Sequence, residues 1–486
     1  MSLDSGPNPA PIDTKMPGPY KIVLATSFGV FLSALDASIV NVSLVTMEES
    51  LGVGMNAIQW VVVAYLLIVT SAMPLMGKVG DRLGKTRIFQ LGMLVFISGS
   101  LLCAFSVGLE LLVAARVFQA LGASMISANG LALVTYFTTP QNRGRAIGMN
   151  SVVLAAALGS GPVIGGVLSQ FYGWPSIFLV NVPIGIIGLL VVQFIIPETD
   201  PVRETRFDTI GAALFFSFLF LLIYYMTIAP VASLGISVIF IEAIIATLAA
   251  FILREGKFQS PIITTGVLAD RRISTSIFSA LLAYMAMIPV SYLLPFYLQE
   301  ALGFNQSATG IFLMVQPVMI SVTGPAAGIL SERVRARTQT IIGLLVQLAG
   351  LVFIAFAIPN VILMAIGVAI MGAGLSFFSV ANGNFIMTSA PKRYMGVVSA
   401  LINISRTTGF SIATALVTTI FGVFFLMTNP GGVTSGTIFS EGYGQAVNMT
   451  IWAFSILCII AAIISSFRGL SPAEVDRENN VSSNKL

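Results

Sequence analysis

The sequence predicts an all-α membrane protein made of two six-helix bundles plus an inserted helix pair, fourteen transmembrane helices in all. Three observations predict it: the composition, a series of long apolar runs, and an internal repeat. Of 486 residues, 56% are hydrophobic and 9% charged, where a soluble domain carries roughly a quarter charged residues. So few charges do not cover a surface against water, whereas lipid requires no such covering. A water-soluble globule is excluded.

A membrane-spanning helix takes about 20 mostly apolar residues. Runs of that kind fall near 22–46, 57–77, 88–108, 111–137, 145–169, 175–196, 208–229, 231–253, 274–298, 307–330, 338–358, 360–389, 396–425 and 446–467. They are too long and continuous for barrel strands of alternating polarity. Basic residues occupy every second gap: Lys78, Arg82, Lys85 and Arg87, then Arg143 and Arg145, then Arg203 and Arg206. The series continues with Arg254, Lys257, Arg271 and Arg272, then Arg333, Arg335 and Arg337, then Lys392 and Arg393. The other gaps hold no Lys or Arg, only Glu48, Glu49, Glu110, Glu300 and Glu441. The positive-inside rule therefore predicts a multi-pass protein of the cytoplasmic membrane with both termini in the cytoplasm. Because the segregation is complete, it supports the span count independently.

The net charge of +4 is thus a topology signal, and no nucleic-acid partner is expected. The polar first 20 residues read as a cytoplasmic tail ahead of a retained helix, not a cleaved leader. Cys103 and Cys458 lie in separate apolar runs and are expected as buried thiols without a disulfide. No histidine is present, which removes the usual general base and the commonest zinc ligand. No enzyme activity, metal or cofactor is expected. A membrane-embedded transferase would need clustered carboxylates at one interface, and a sensor usually carries a large soluble extension; neither is evident here.

The repeat appears in the loops. Gly77–Arg87 reads GKVGDRLGKTR, and about 250 residues later Gly328–Arg337 reads GILSERVRAR; the turn Asn142–Arg145 recurs at the same offset at Lys392 and Arg393. Two loops sharing one offset imply parallel repeats. The expected division is a tail over 1–20, a six-helix bundle over 21–197, an inserted pair with linkers over 198–271, a second bundle over 272–467 and a tail over 468–486.

A charge at the bilayer centre costs roughly 2.5–3.5 kcal/mol on insertion scales, so each requires an explanation. Four qualify: Asp36, Arg116, Glu242 and Arg406. Asp36, in LSALDASIVNVSL, reads either as a protonatable carboxylate facing a cavity or as a hydrogen-bonded acid fixing helix packing. Arg116, with Gln119 at helical spacing, either governs a proton near Asp36 or ties its helix to neighbouring carbonyls. Arg406, amid Asn403, Ser405, Thr407 and Thr408, either binds an anionic group or pairs structurally. Glu242 lies in the inserted pair, away from both repeats, and reads as a peripheral carboxylate. In the fifth run, LGSGPVIGGVL places Gly161 and Gly165 four apart on one face for close helix approach, with Pro162 bending the helix between them.

Four motifs in order resemble the major facilitator superfamily and, within it, the fourteen-helix drug:proton antiporter branch. GKVGDRLGKTR looks like its signature loop through Gly77, Gly80, Asp81, Arg82, Gly84 and Lys85. LDASIVNVSL resembles the helix-one motif through Asp36 and Asn41, ARVFQALGA the helix-four motif through Arg116, Gln119 and Gly122, and LGSGPVIGG the antiporter motif through Gly161, Pro162, Gly165 and Gly166. The resemblance implies the major facilitator fold, two bundles rocking about a central site, export of a small molecule, and proton entry as the driving force. It also implies a cytoplasmic charge latch containing Asp81 and Arg82. Three departures stand out. Arg335 replaces a loop glycine in the second copy, Pro175 follows Trp174 where the branch commonly has Arg, and the counterparts of Asp36 and Arg116 are Ala286 and Ile366.

With one central acid and two arginines, neutral, amphipathic or anionic cargo is at least as plausible as dications. The cavity is expected to be aromatic and soft, with 34 Phe and 20 Met. Its candidate lining is Asn41, Gln119, Tyr284, Tyr292, Phe296, Gln299, Phe378, Asn382 and Arg406. The expected function is proton-coupled export of small lipophilic or drug-like molecules by a monomer among membrane lipids. The alternative is a proton-independent facilitator, or an exporter of a lipid-like or anionic metabolite.

Overall fold

The computed structural model describes residues 19–138, 140–199, 208–228, 232–258, 270–389, 395–429 and 437–469. The basic residues Arg203, Arg206, Lys392 and Arg393 lie outside this set, as do the side chains of Arg143, Arg145 and Glu332.

The first six long helices are α1 (Pro19–Leu51), α2 (Trp60–Leu83), α3 (Lys85–Ala104), α4 (Leu109–Tyr136), α5 (Pro140–Tyr172) and α6 (Asn181–Ile195). The inserted pair is α7 (Thr209–Ile228) and α8 (Leu234–Glu255). The last six are α9 (Arg271–Phe296), α10 (Gln306–Arg333), α11 (Ala336–Ala357), α12 (Val361–Ser389), α13 (Met395–Thr428) and α14 (Thr437–Ser466). Short helical turns at Met55–Ile58 and Ser176–Leu179 lead into α2 and α6, and a π-helical turn, Tyr297–Ala301, extends α9. Thirteen spans among the described residues are long and apolar enough to cross a membrane; α5, at 33 residues, is long enough for the fourteenth.

Several helices run beyond the predicted apolar stretch. Helix α1 continues through Glu48 and Glu49, and α2 through Lys78 and Arg82, because these side chains favour helix and project into water once the backbone is already wound. Asp208 and Asp270 act at helix starts. Asp208 accepts from the Gly211 amide at 2.9 Å and from Arg254 Nε at 3.2 Å, fastening α7 to α8. Asp270 caps α9 by accepting from the Arg272 amide, and the Arg272 guanidinium holds its carboxyl below the usual carboxylate range.

The charged loop residues that are described sort onto two ends of the molecule. One end, where α1 begins and α14 finishes, carries the Lys and Arg residues and is called here the basic face. The other carries Glu48, Glu49, Glu110, Glu300 and Glu441 and is called the acidic face.

Within each half the tightest helix pair is a glycine seam. A methyl added at Gly122 of α4 would sit 2.5 Å from the Phe96 amide nitrogen of α3, and one at Gly99 would sit 2.6 Å from the Gln119 Cα. In the second half, Gly343 of α11 stands in the same relation to Phe378 of α12, at 2.5 Å from its amide nitrogen. Cys103 and Cys458 are both buried free thiols, as expected. Helices α1, α2 and α5 of the first half meet α9, α13 and α10 of the second; α7 packs on both α2 and α13. Helix α8 lies against α7 with few of its residues buried, and Glu242 is exposed. That exposure is the expected place for a helix added outside two complete bundles.

One boundary shifts. Arg468, which the sequence reading puts in the C-terminal tail, is 3% exposed. It donates to Asn382 Oδ1 at 2.6 Å and Ser465 Oγ at 3.1 Å, and lies 4.9 Å from the centre of the Phe385 ring. A guanidinium so placed belongs to the second bundle.

Candidate functional site

The loop motif between α2 and α3 is built by backbone needs first. Gly84 adopts φ +99°, a conformation that L side chains rarely adopt, and a methyl there would lie 3.1 Å from the Thr199 carbonyl oxygen. Gly80 has no room for a side chain because Asn129 of α4 occupies that space. Gly77 lies in only ordinary contact range of Ala128. Asp81 pairs with Lys85 one turn on, Arg87 pairs with Glu198, and Thr86 Oγ1 donates to the Pro197 carbonyl at 2.8 Å. Arg82 is exposed. The Asp81–Lys85 pair therefore stays inside the first half, while Arg87 reaches Glu198 at the start of the linker to the inserted pair. We expect Gly84→Ala to destabilise the protein by about 1–3 kcal/mol, read as a fall in the thermal transition of the detergent-purified protein; an unchanged transition would show that the turn tolerates a side chain.

Two of the four charges expected inside the membrane, Asp36 and Arg116, meet in the first half. Arg116 Nη1 donates to Asp36 Oδ2 at 2.6 Å and to Gln119 Oε1 at 2.6 Å, and Arg116 Nε donates to the Val61 carbonyl at 3.1 Å. Gln119 Nε2 and Asn181 Nδ2 each donate to Asp36 Oδ1 at 2.9 Å. Gln119 Nε2 also lies 2.8 Å from Ser100 Oγ. The guanidinium carbon stands 4.0 Å from the centre of the Tyr65 ring and 5.6 Å from that of Phe178. Five helices, α1, α2, α3, α4 and α6, each supply a group. Asp36 is 0% and Arg116 1% exposed.

This placement corrects one expectation: in this conformation Asp36 faces neither lipid nor an open cavity. Its carboxylate is saturated by three donors, which pull it into the bundle. The arrangement keeps a charged pair in low dielectric, where its mutual attraction is offset by the desolvation of both ions.

The glycine motif of α5 lies on a seam. On one side of α5, a methyl at Gly161 would overlap Ser38 Oγ and one at Gly165 would sit 2.7 Å from the Ile39 carbonyl, so α1 packs directly on the α5 backbone. On the other side, Gly166 abuts the Gln306 carbonyl of α10, and the Pro162 carbonyl occupies the space a side chain at Gly310 would need. One glycine run thus binds α1 within its bundle and α10 across from it. Three hydrogen bonds join the halves nearby, all toward the acidic face. Gln299 Nε2 donates to the Val42 carbonyl at 3.1 Å, Gln306 Nε2 to Thr46 Oγ1 at 3.0 Å, and the Ser307 amide to Gln170 Oε1 at 3.2 Å. The bundles are fastened at the acidic face.

The expected cavity residues are not gathered in one place. Gln119 belongs to the Asp36 network, and Gln299 is a tie between the halves. Phe378 and Asn382 are packed inside the second half, Asn382 donating to the Ser276 carbonyl at 3.1 Å. Tyr292 and Phe296 are buried and touch ring to ring at 5.6 Å. Asn41, Tyr284 and Arg406 are half-buried. Tyr284 meets Phe410 edge-on at 5.8 Å, and Arg406 Nη2 donates to Asn403 Oδ1 at 3.0 Å. The sequence reading missed Asn181, Tyr65 and Ser100. Asn181 carried a usable signal, a single amide between valines at the head of an apolar run.

The described helices thus form a membrane scaffold of two bundles with a glycine seam between them. The chain belongs to the Major Facilitator Superfamily, whose profile matches residues 26–414. It is 32% identical over 455 residues to the riboflavin transporter RibZ of Clostridioides difficile (strain 630), covering 92% of this chain and 96% of that one. It is 28% identical over 411 residues to the multidrug resistance protein Stp of Mycobacterium tuberculosis (strain ATCC 25618 / H37Rv), covering 84% and 76% of the two chains. Among solved structures, that of a D-xylose-proton symporter superposes with a TM-score of 0.68 at 12% identity, covering 93% of this chain and 98% of that one. The chain is a multi-pass membrane transporter and not an enzyme, and its likeness to resistance proteins accords with the fourteen-helix drug-export branch.

Proposed function

We propose that the protein exports small lipophilic or drug-like molecules from the cytoplasm in exchange for protons, working as a monomer with both termini and the basic face in the cytoplasm. The observation that carries the reading is the Asp36–Arg116 pair, a titratable acid and its counter-ion isolated in the middle of one rocking bundle. When the acidic face opens, Asp36 takes a proton from outside and lets go of Arg116. When that face closes, as in this structure, the proton leaves toward the cytoplasm and the pair re-forms. Cargo binds best to the deprotonated, inward-open state, so proton and cargo compete through conformation. The names of relatives such as Stp support export; that of RibZ supports a planar organic cargo. The loop pair Asp81–Lys85 serves as a latch component that is satisfied within its own half in this state and exchanges partners when the basic face closes.

The test is a panel of dyes and antibiotics in an efflux-deficient host, with and without a protonophore. Energy-dependent exclusion that the protonophore abolishes is the expected result; exclusion that survives it would favour a proton-independent exporter. Separately, Gln299→Ala combined with Gln306→Ala removes two ties worth about 1 kcal/mol each and so shifts the population toward the open acidic face by about tenfold or more. Raised labelling of a cysteine placed at that face would register the shift, and unchanged labelling would mean the ties do not hold the seam.

A further inference from the structure

We propose that the cargo site prefers organic anions with an aromatic body, and that Arg406 on α13 is the residue that holds the anionic group. The proposal rests on the transport reading above and adds the substrate's charge. The membrane-embedded charges are unevenly satisfied. Asp36 and Arg116 cancel each other inside the first bundle, and Glu242 lies on the exposed surface of α8, away from the seam. Arg406 keeps a half-buried guanidinium whose described side-chain partner is the neutral amide of Asn403; among the described residues no carboxylate pairs with it. An arginine stays charged in a protein and presents five donors, so a single amide leaves most of its capacity unused.

The direction in which Arg406 faces follows from the helix itself. Asn403, Arg406 and Phe410 recur at steps of three and four residues and share one side of α13, and Ala413, Thr414 and Val417 carry that side onward toward the acidic face. The first three are half-buried; the last three are buried. One side of the helix is thus sealed toward the acidic face and open toward the basic face, which is the profile of a vestibule wall in a transporter closed at the acidic end. The adjoining side of α13, with Ser405 and Gly409, packs on α9: Ser405 Oγ donates to the Ile277 carbonyl at 2.8 Å. Tyr284 stands on α9 beside this seam, edge-on to Phe410 at 5.8 Å. The wall therefore offers a fixed cation next to two aromatic rings, the combination that holds a carboxylate, sulfonate or phosphate attached to a flat apolar group. A cationic drug meets an unneutralised positive charge at the same place and gains no compensating carboxylate.

The test is equilibrium binding to the full chain in nanodiscs, with no pH gradient, so that its failure is separable from failure of proton coupling, which only flux measurements reveal. The probes are fluorescein and naphthalene-2-sulfonate as anions and ethidium as the cation, read by fluorescence anisotropy and competition. The wild-type protein is expected to bind the anions at least tenfold more tightly than ethidium. Arg406→Gln should weaken anion binding by about tenfold to a hundredfold, Arg406→Lys should retain part of it, and Tyr284→Ala should weaken the aromatic probes without reversing the charge preference. Size-exclusion profiles and thermal transitions matching the wild type establish that the variants are folded. Anions binding no better than ethidium, or Arg406→Gln binding them undiminished, would overturn the assignment.

Discussion

Asp36→Asn is expected to abolish proton-driven transport and at the same time to destabilise the protein, and the two effects are separable. In the wild type three donors converge on a carboxylate with no exposure. The amide keeps the shape but loses the charge, so Arg116 is left as an uncompensated cation in low dielectric, at a cost of about 3–5 kcal/mol. A loss of transport in this single variant therefore has two explanations. The double variant Asp36→Asn/Arg116→Gln distinguishes them, because it removes both charges and with them the desolvation of two ions. The account predicts that the double variant recovers most of the thermal stability, since replacing a buried pair by neutral groups is often near neutral. It also predicts that transport against a gradient is not recovered, because no carboxylate remains in the apolar stretch of α1 between residues 22 and 46. Recovery of gradient-driven transport would mean that the pair is a packing device and the proton travels elsewhere.

Gly166→Val is expected to cut export by more than tenfold while leaving the first bundle folded. The reason lies in which partners the glycine meets. Gly166 faces backbone of α10 across the seam, at the Gln306 carbonyl and the Ser307 Cα, and these atoms cannot rotate away as a long side chain can. A side chain here opposes closure of the acidic face and has no counterpart cost when the halves part. Overpacking of this kind costs about 1–3 kcal/mol, which shifts a two-state population by roughly 5- to 150-fold. Gly161→Val is the contrasting variant: its partner, Ser38, lies in the same bundle, so the strain persists in both conformations and appears as lost stability. Cysteine accessibility at the acidic face should rise in Gly166→Val and not in Gly161→Val. The reverse pattern would show that the motif governs folding rather than the conformational equilibrium.

The fold was legible in the sequence because lipid imposes a simple rule: every span is a long apolar helix, and the loops sort by charge. Fourteen runs and fourteen long helices agree to within a few residues at most ends; the largest difference is at the start of α14, which begins at Thr437 ahead of the polar Glu441 and Gln445, and smaller ones arise where Glu48 and Lys78 extend a helix beyond the hydrocarbon. The site was legible in part. Asp36, Arg116 and Gln119 announced themselves because ionisable and amide groups are costly in hydrocarbon, and the structure brings all three together. What they face was not legible, since a single helix does not disclose whether its polar side meets a vestibule or another helix. Asn181 and Tyr65 complete the network from α6 and α2, and no spacing within α1 or α4 points to them. Phe378 and Asn382 are packed inside the second half for the same reason: Asn382 turns toward α9 and Arg468, and Phe378 lies where α12 packs on Gly343 of α11. The glycines of α5 were read as a close-packing element, but that one run serves two neighbours, α1 and α10, becomes visible only when both halves are placed.

The central claim is that Asp36 exchanges protons against cargo. Its most direct test is simultaneous recording of lumenal pH and dye movement in proteoliposomes containing either the wild type or Asp36→Asn/Arg116→Gln. The account predicts that in the wild type dye and protons move in opposite directions with a fixed ratio, and that the double variant lets dye equilibrate without moving protons. Proton movement coupled to dye in the double variant, or none in the wild type, would contradict it.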